Sequence, residues 1–272
     1  DADRLGIAIR NSNDGWYYLN GNQIMTVLTE YLLSKKKANK QLNTNNFIAS
    51  TIVSSPIIKI IANTYGIKYK YCLTGFKWIA KLIKDHPELE FVCGGEESFG
   101  FLVGNKVRDK DAISASLLSC ELASELKSQD KNIYKFLIEC YEKYGIYNER
   151  LKSITKKGKE GLEEIKNIMT KFRKNPPLQI AGINTLIVED YSQRTKLYLK
   201  SGKKESISLP KSDVLIFILE DKSRIGLRPS GTEPKIKFYF SVSDNYKPND
   251  RWEKQQERLN KKIDLLLNDI IS

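Results

Sequence analysis

The stretch NFIASTIVSSPIIKIIANTYG, Asn46 to Gly66, decides the fold. Its first ten residues carry no charge and after Asn46 are all β-branched, small or apolar, which predicts a buried strand. Pro56 ends that strand and opens a helix, because its fixed φ and missing N–H suit a first helical turn. The helix stops at Gly66. Downstream the same alternation continues: IKYKYCLTG reads as a strand, FKWIAKLIKDH as a helix and LEFVCGG as a strand. After a loop, a further helix is expected from about Asp111 to Lys127. Upstream, RLGIAIR alternates like a strand and runs into the turn signal Asn13-Asp14-Gly15. NGNQIMTVLTEYLLSKKK then has helical spacing at Ile24, Val27, Leu28, Tyr31 and Leu32, with Asn20 or Asn22 as N-cap. Strands alternating with helices predict an α/β domain with a largely parallel, mixed sheet. Its Gly-bearing loops fall at strand carboxyl ends, where such sheets bind ligands.

The pattern changes after about residue 130. NIYKFLIECYEKYG is expected to be an amphipathic linker helix, followed by a strand-like RLKSIT and a helix EGLEEIKNIMTKFRKN. Three extended runs follow, GINTLIVEDYS, SDVLIFILED and PKIKFYFSVS, and a last helix runs from roughly Arg251 to Ile271. Strands joined by short connections with helices to one side predict a smaller α+β domain with an antiparallel sheet. The boundary is expected near residue 145.

At 272 residues the chain is long enough for two cores. No apolar run reaches the roughly 18–20 residues of a membrane span, and no signal peptide or apolar h-region argues for export, so a cytoplasmic protein without a membrane partner is expected. The abrupt start at DADRLGIAIR reads as the middle of something. Cys72, Cys93, Cys120 and Cys140 lack C-x-x-C spacing and His86 is the single histidine, which disfavours a zinc site and a histidine-based hydrolase. The cysteines are expected as buried reduced thiols, and His86, before a proline, in a surface turn. A net charge of +12 fits either a nucleic-acid surface or a Lys-rich exterior around a site for anionic metabolites. The lysine clusters, SKKKANKQ and TKKGKEG among them, have no interleaved aromatics for base stacking, so no nucleic-acid partner is expected.

Four loops carry candidate chemistry. DADR, Asp1 to Arg4, alternates carboxylates as a hard cation such as Mg²⁺ requires, although Asp-x-Asp also occurs in ordinary turns. TGFKW, Thr74 to Trp78, puts Lys77 at a helix start, where the dipole disfavours it; an anionic partner, a proton-transfer role or plain solvation each explain it. GGEES sets Glu96, Glu97 and Ser98 directly after a strand, a carboxylate and hydroxyl set suited to vicinal sugar hydroxyls. An acidic pair capping a helix would account for only one of the three. In RPSGTEPK, Arg228 offers a planar fork for phosphate, while Ser230, Thr232 and the Gly231 amide add neutral donors.

In this order the loops resemble those of the α-D-phosphohexomutases, the phosphoglucomutase and phosphomannomutase family. LNGNQIMTVLTEYLL, LTGFKWI, GGEESFGF with RDKDAISA, and RPSGTEPKIKFYF fit its phosphoglucomutase-like branch, from Asp1 to about Phe240. The resemblance implies that residues 1–14 are the tail of the family's second domain and carry part of the metal loop. Residues 15–145 would be the third, sugar-binding domain, and 146–272 the fourth, phosphate-binding domain. It implies that Asp1 and Asp3 are Mg²⁺ ligands and that Arg4 ends the metal motif. Gly95, Glu96 and Ser98 would bind sugar, with Glu96 rather than Glu97 facing it. Arg228, Ser230, Gly231 and Thr232 would bind phosphate, and Lys77 would be a cleft lysine with an acid/base role. The implied reaction interconverts hexose 1-phosphate and hexose 6-phosphate through glucose 1,6-bisphosphate and an enzyme phosphoserine. Neither that serine loop nor the first metal aspartate lies in this chain, so the N-terminal half of the same protein is an implied partner. Phe99 and Gly100 follow Ser98 where the mannose-tolerant branch tends to have histidine, which favours glucose over mannose or pentose phosphates. A basic nucleic-acid-binding module and a non-catalytic sugar-phosphate sensor are the competing readings.

Overall fold

A computed structural model describes residues 1–11, 15–231 and 233–271, with Lys159 described through its backbone only. The Asn13-Asp14 part of the expected first turn lies outside the described residues. The chain divides into two compact units, Asp1–Ile146 and Tyr147–Ser272.

The first unit opens with an antiparallel ribbon of β1 (Ile7–Arg10) and β2 (Trp16–Leu19). Helix α1 (Gly21–Ala38) starts at Asn20, whose side chain accepts from the Gln23 amide while the Gln23 side chain accepts from the Asn20 amide. This reciprocal cap settles the choice between Asn20 and Asn22. Asn22 instead serves a distant loop, where its Oδ1 accepts from the Ser55 amide at 2.9 Å. Then come β3 (Asn46–Thr51), α2 (Ile57–Thr64), β4 (Lys68–Cys72), α3 (Phe76–Asp85), β5 (Glu90–Glu96), β6 (Gly100–Val103), α4 (Ala112–Ser128) and α5 (Ile133–Tyr144). The sheet order is β4-β3-β5-β6, with β3 parallel to β4 and to β5, and β6 antiparallel to β5. Every residue of central β3 is buried, as an uncharged strand covered on both faces requires. Phe47, Ala49, Cys72 and Phe91 pack with Phe76, Ile79 and Ile83 of α3 on one face. Helices α1, α2, α4 and α5 contact one another in a second layer.

Several details depart from what the sequence predicts. Helix α5 is no linker: it buries Ile133, Tyr134, Leu137, Cys140, Tyr141 and Tyr144, a stripe that packs against α1 and α4. Strand β5 continues through Glu96, so Gly94 and Gly95 lie inside it rather than in a loop after it. A Cβ at Gly94 would fall 2.6 Å from the Ala49 carbonyl oxygen, which explains glycine within a strand there. The glutamate pair leads into β6, not a helix, so helix capping does not explain it. Cys72, Cys93 and Cys140 are buried, and burial pushes the Cys72 and Cys93 thiols up to about 12. Cys120 is exposed because it lies on the outward face of α4. His86 caps the C-terminal end of α3, 3.1 Å from Glu88 Oε1.

The second unit holds β7 (Ile146–Thr155), α6 (Gly158–Lys174), β8 (Gln179–Ile180), β9 (Ile183–Asp190), β10 (Thr195–Tyr198), β11 (Lys204–Ser206), β12 (Leu215–Leu219), β13 (Arg224–Pro229), β14 (Lys235–Asp244) and α7 (Trp252–Ile271). Its sheet runs β11-β10-β9-β12-β13-β14-β7, with β8 pairing β9. The β9, β12, β13 and β14 ladders are antiparallel. Among the described residues no helix is long and apolar enough to cross a membrane.

Candidate functional site

The hairpin between β5 and β6 gathers the first unit's candidate residues. Glu96 ends β5 opposite Gly100, and Gly95 pairs with Phe101. Along its other edge lies the N-terminal strip: Arg4 forms a backbone bridge with Gly100, and the Leu5 amide donates to the Phe99 carbonyl at 3.1 Å. The Ala112 amide, in the first turn of α4, donates to the Ala2 carbonyl at 3.1 Å. Main-chain bonds therefore lay the DADR motif beside the GEES hairpin, across a sequence separation too long to leave any local signal.

Lys110, which lies within RDKDAISA and has no role expected from the sequence, ties the two together. Its Nζ lies 3.3 Å from Asp3 Oδ2 and 3.0 Å from Asp109 Oδ1, and 5.6 Å from the Phe76 ring centroid. Burial alone would lower its pKa, but the hydrogen bonds it donates to Asp109 and Asp3 carry it above the usual lysine value. Asp1 and Arg4 are exposed, and Asp3 is half-buried.

Glu96 is only 6% exposed. Its Oε1 accepts from the Gly75 amide at 2.6 Å, at the residue that precedes α3. Desolvation raises its pKa above the ordinary glutamate value; the Gly75 amide opposes this, Glu97 adds to it, and Lys110 and Arg4 oppose it. Lys77, in the first turn of α3, is exposed, with Nζ 5.5 Å from the Trp78 ring centroid. Ser98 is half-buried in the turn, and Phe99 beside it is exposed with φ at +69°. Glu97 turns away from Glu96: its Oε2 accepts from Thr51 Oγ1 at 3.2 Å and from Ser54 Oγ at 3.3 Å.

In the second unit β13 and β14 pair as neighbouring strands, with residues 230–234 between them. Arg228 and Pro229 are the last two residues of β13, and Arg228 pairs directly across the ladder with Lys237. Like charges directly opposite destabilise a ladder, so this pair favours an anion on its face. The signal for Lys237 was present in PKIK, since alternation puts it on one face with Lys235, yet only the register sets it opposite Arg228. The Ser230 amide donates to the Lys235 carbonyl at 2.7 Å, and Ser230 Oγ accepts from the Glu233 amide at 3.3 Å. Gly231 is exposed and a Cβ there would meet nothing within 4 Å, so packing does not require glycine at this position. Thr232 lies outside the described residues.

Comparison with known proteins fits this arrangement. The family model for the phosphoglucomutase/phosphomannomutase alpha/beta/alpha domain III matches residues 20–144, and that for the C-terminal domain matches residues 152–255. Phosphoglucomutase of Staphylococcus aureus is 43% identical over 245 residues, covering 89% of this chain and 43% of its own length. Phosphoglucomutase of Staphylococcus epidermidis is 40% identical over 244 residues, covering 89% of this chain and 44% of its own length. Among solved structures, the open form of the phosphoglucomutase parafusin from Paramecium superposes with a TM-score of 0.66 at 20% identity, covering 99% of this chain and 43% of that one. A phosphomannomutase structure from Thermus thermophilus gives 0.58 at 14% identity, covering 98% of this chain and 43% of that one, and at these identities both likenesses speak to the fold. The chain belongs to the phosphoglucomutase/phosphomannomutase family. It spans less than half the length of these curated relatives.

Proposed function

We propose that this chain is the sugar- and phosphate-gripping portion of a phosphohexomutase that interconverts hexose 1-phosphate and hexose 6-phosphate, with glucose favoured. The observation that carries the reading is the gathering of Asp3, Arg4, Lys110, Glu96 and Ser98 about one hairpin. In this reading residues 1–14 end the family's second domain, 15–145 form the third and 146–272 the fourth. The two matched segments and the division after Ile146 support the boundary between the last two of these. Gly95, Glu96 and Ser98 hold the sugar hydroxyls, and the low dielectric around Glu96 strengthens a hydrogen bond that it accepts. Arg228, Ser230, Gly231 and Thr232 take the phosphate that is not reacting, with Lys237 adding charge from the neighbouring strand. In this reading Lys77 and Arg4 supply the cation that a proton transfer or a developing negative charge needs.

The transferred phosphoryl group travels on a serine of the longer protein's N-terminal half, and a bisphosphorylated sugar turns over between the two transfers. Glucose 1,6-bisphosphate is the ligand named for an N-acetylphosphoglucosamine mutase structure from Aspergillus fumigatus, and we assign the same compound here as intermediate and activator. Magnesium suits the donor set in kind, since Asp1 and Asp3 offer hard carboxylate oxygens. The set is partial: no group of three or more candidate ligands comes together among the described residues. When bound, the ion supplies charge neutralisation at the moving phosphoryl group. The chain's own contribution is position, with Lys110 holding Asp3 beside the hairpin. Buried thiols suit a reducing cytoplasm as the place of action.

The test is kcat/KM of the longer protein on glucose, mannose and ribose 1-phosphates. Glucose 1-phosphate should lead; a tenfold preference for mannose 1-phosphate would overturn the choice of sugar. Saturable binding to DNA or RNA at near-physiological salt, with none to sugar phosphates, would overturn the mutase reading altogether.

A further inference from the structure

The turn of residues 97–99 does not hold itself. It joins a ladder whose last pair is Glu96 and Gly100, and it keeps Phe99 at φ +69°, a left-handed conformation that costs a bulky side chain free energy. Its constraints come from outside the ladder. The Leu5 amide fixes the Phe99 carbonyl, and the start of α1 packs under the Glu97 backbone so closely that Gly21 has no room for a side chain.

The third constraint is the Glu97 side chain. Adjacent residues at a strand end point to opposite faces, so Glu96 and Glu97 serve different neighbours. Glu96 reaches the Gly75 amide before α3, whereas Glu97 reaches back to the end of β3. There it meets Thr51 and Ser54, which are 1% and 2% exposed and 2.9 Å apart, in a turn already closed by the Ser54 amide donating to the Thr51 carbonyl at 3.1 Å. Two hydroxyl protons serve three oxygen–oxygen contacts among Thr51, Ser54 and Glu97. At least one of them is therefore directed at Glu97, which as a carboxylate can only accept.

We propose that Glu97 is a positioning residue, a clamp that fixes the hairpin to the end of β3 and thereby sets the approach of Glu96 and Ser98 to the sugar. The consequence for the sugar rests on the function proposed above; the clamp itself does not. Glu97 contributes no contact to ligand in this arrangement, because its side chain is aimed at the buried hydroxyls of the β3 end.

A glutamine tests this sharply. Glu97→Gln loses the charge but keeps an oxygen that can accept from both hydroxyls, so the clamp survives. Glu97→Ala removes it and leaves Thr51 and Ser54 one hydrogen bond to share, with the second hydroxyl proton deprived of its acceptor. Hydrogen–deuterium exchange of the 272-residue chain should show amides of residues 94–101 exchanging at least about tenfold faster in Glu97→Ala and like the parent in Glu97→Gln. In the longer protein, KM for glucose 1-phosphate should rise about tenfold in Glu97→Ala with kcat within about threefold, and Glu97→Gln should match the parent. Thr51→Val with Ser54→Ala, added to Glu97→Ala, should cost little more than Glu97→Ala alone. Parent-like exchange in Glu97→Ala overturns the clamp, and so does a Glu97→Gln variant as impaired as Glu97→Ala, which would make the charge a direct contact. Ser98→Ala separates the two readings: if it leaves KM unchanged while exchange still rises in Glu97→Ala, the sugar assignment fails and the clamp stands.

Discussion

Replacing Gly21 with alanine pits helix propensity against a backbone collision. Gly21 is the first residue of α1, where alanine ordinarily gains up to about 0.5–1 kcal/mol over glycine. Its φ is not left-handed, so no conformational strain opposes the change. A Cβ there would lie 2.6 Å from the Glu97 carbonyl carbon and 2.7 Å from the Phe99 nitrogen, and closer still to the Glu97 oxygen, whereas ordinary contact begins at 3.4 Å. All three atoms are main chain and cannot rotate away, so the hairpin or the helix must shift by on the order of 1 Å. Overpacking of this kind costs about 1–3 kcal/mol and outweighs the propensity gain. For a unit of this size that lowers Tm by about 3–10 °C. Because the displaced atoms belong to the hairpin, turnover in the longer protein should fall further, by up to about a hundredfold for a 1 Å misplacement. Thermal denaturation of the 272-residue chain followed by circular dichroism measures the first effect, with Gly6→Ala as control, since a Cβ at Gly6 meets nothing within 4 Å. A Gly21→Ala chain as stable as the parent would refute the packing argument.

Glu96→Gln should stabilise the chain at neutral pH. The folded pKa of Glu96 is raised, so the stability it lends is full below the unfolded value and is lost as pH rises through the folded one. In thermal melts from about pH 4 to 8 the gain over the parent should be largest at high pH and shrink toward the acid end; a gain that grows toward low pH would contradict the sign. Glu30 is 7% exposed and accepts from Tyr65 at 3.0 Å, Lys143 at 2.9 Å and Tyr144 at 2.6 Å. Glu30→Ala strands the buried Tyr144 hydroxyl and releases Tyr65 and Lys143, and should cost about 2–4 kcal/mol in a urea titration, with Glu30→Gln intermediate. Arg228→Ala in the longer protein should lower kcat/KM by about 30- to 150-fold, the loss of about 2–3 kcal/mol for a charge-assisted fork contact. Arg228→Lys should restore only part, and an unchanged alanine variant would make the loop structural.

Long elements with one strong period were legible in the sequence. The uncharged run before Pro56 pointed to β3 and α2, and the spacing from Ile24 to Leu32 to α1, because burial of a whole face leaves a local pattern. Short ladder strands were not: β2, β6, β10, β11 and β13 are three to six residues long and owe their form to partners elsewhere in the chain. The same distinction divides the site. Glu96, Ser98 and Arg228 stood out as residue types that turns do not need. The pairing of Lys110 with Asp3, the register that sets Lys237 against Arg228, and the reach of Glu97 to Thr51 depend on contacts far apart in sequence, which no window of local pattern contains.

On this account the 272 residues contain the grips of a phosphohexomutase but not its phosphoryl carrier, and a coupled assay tests that most directly. The purified chain and the longer protein are each given glucose 1-phosphate, Mg²⁺ and glucose 1,6-bisphosphate, and formation of glucose 6-phosphate is followed. The longer protein should turn over, and the 272-residue chain should fold yet fall more than about a hundredfold below it, since the carrier and part of the metal set are supplied from outside. Turnover by the chain alone within about a hundredfold of the longer protein, or none by the longer protein, would contradict the account.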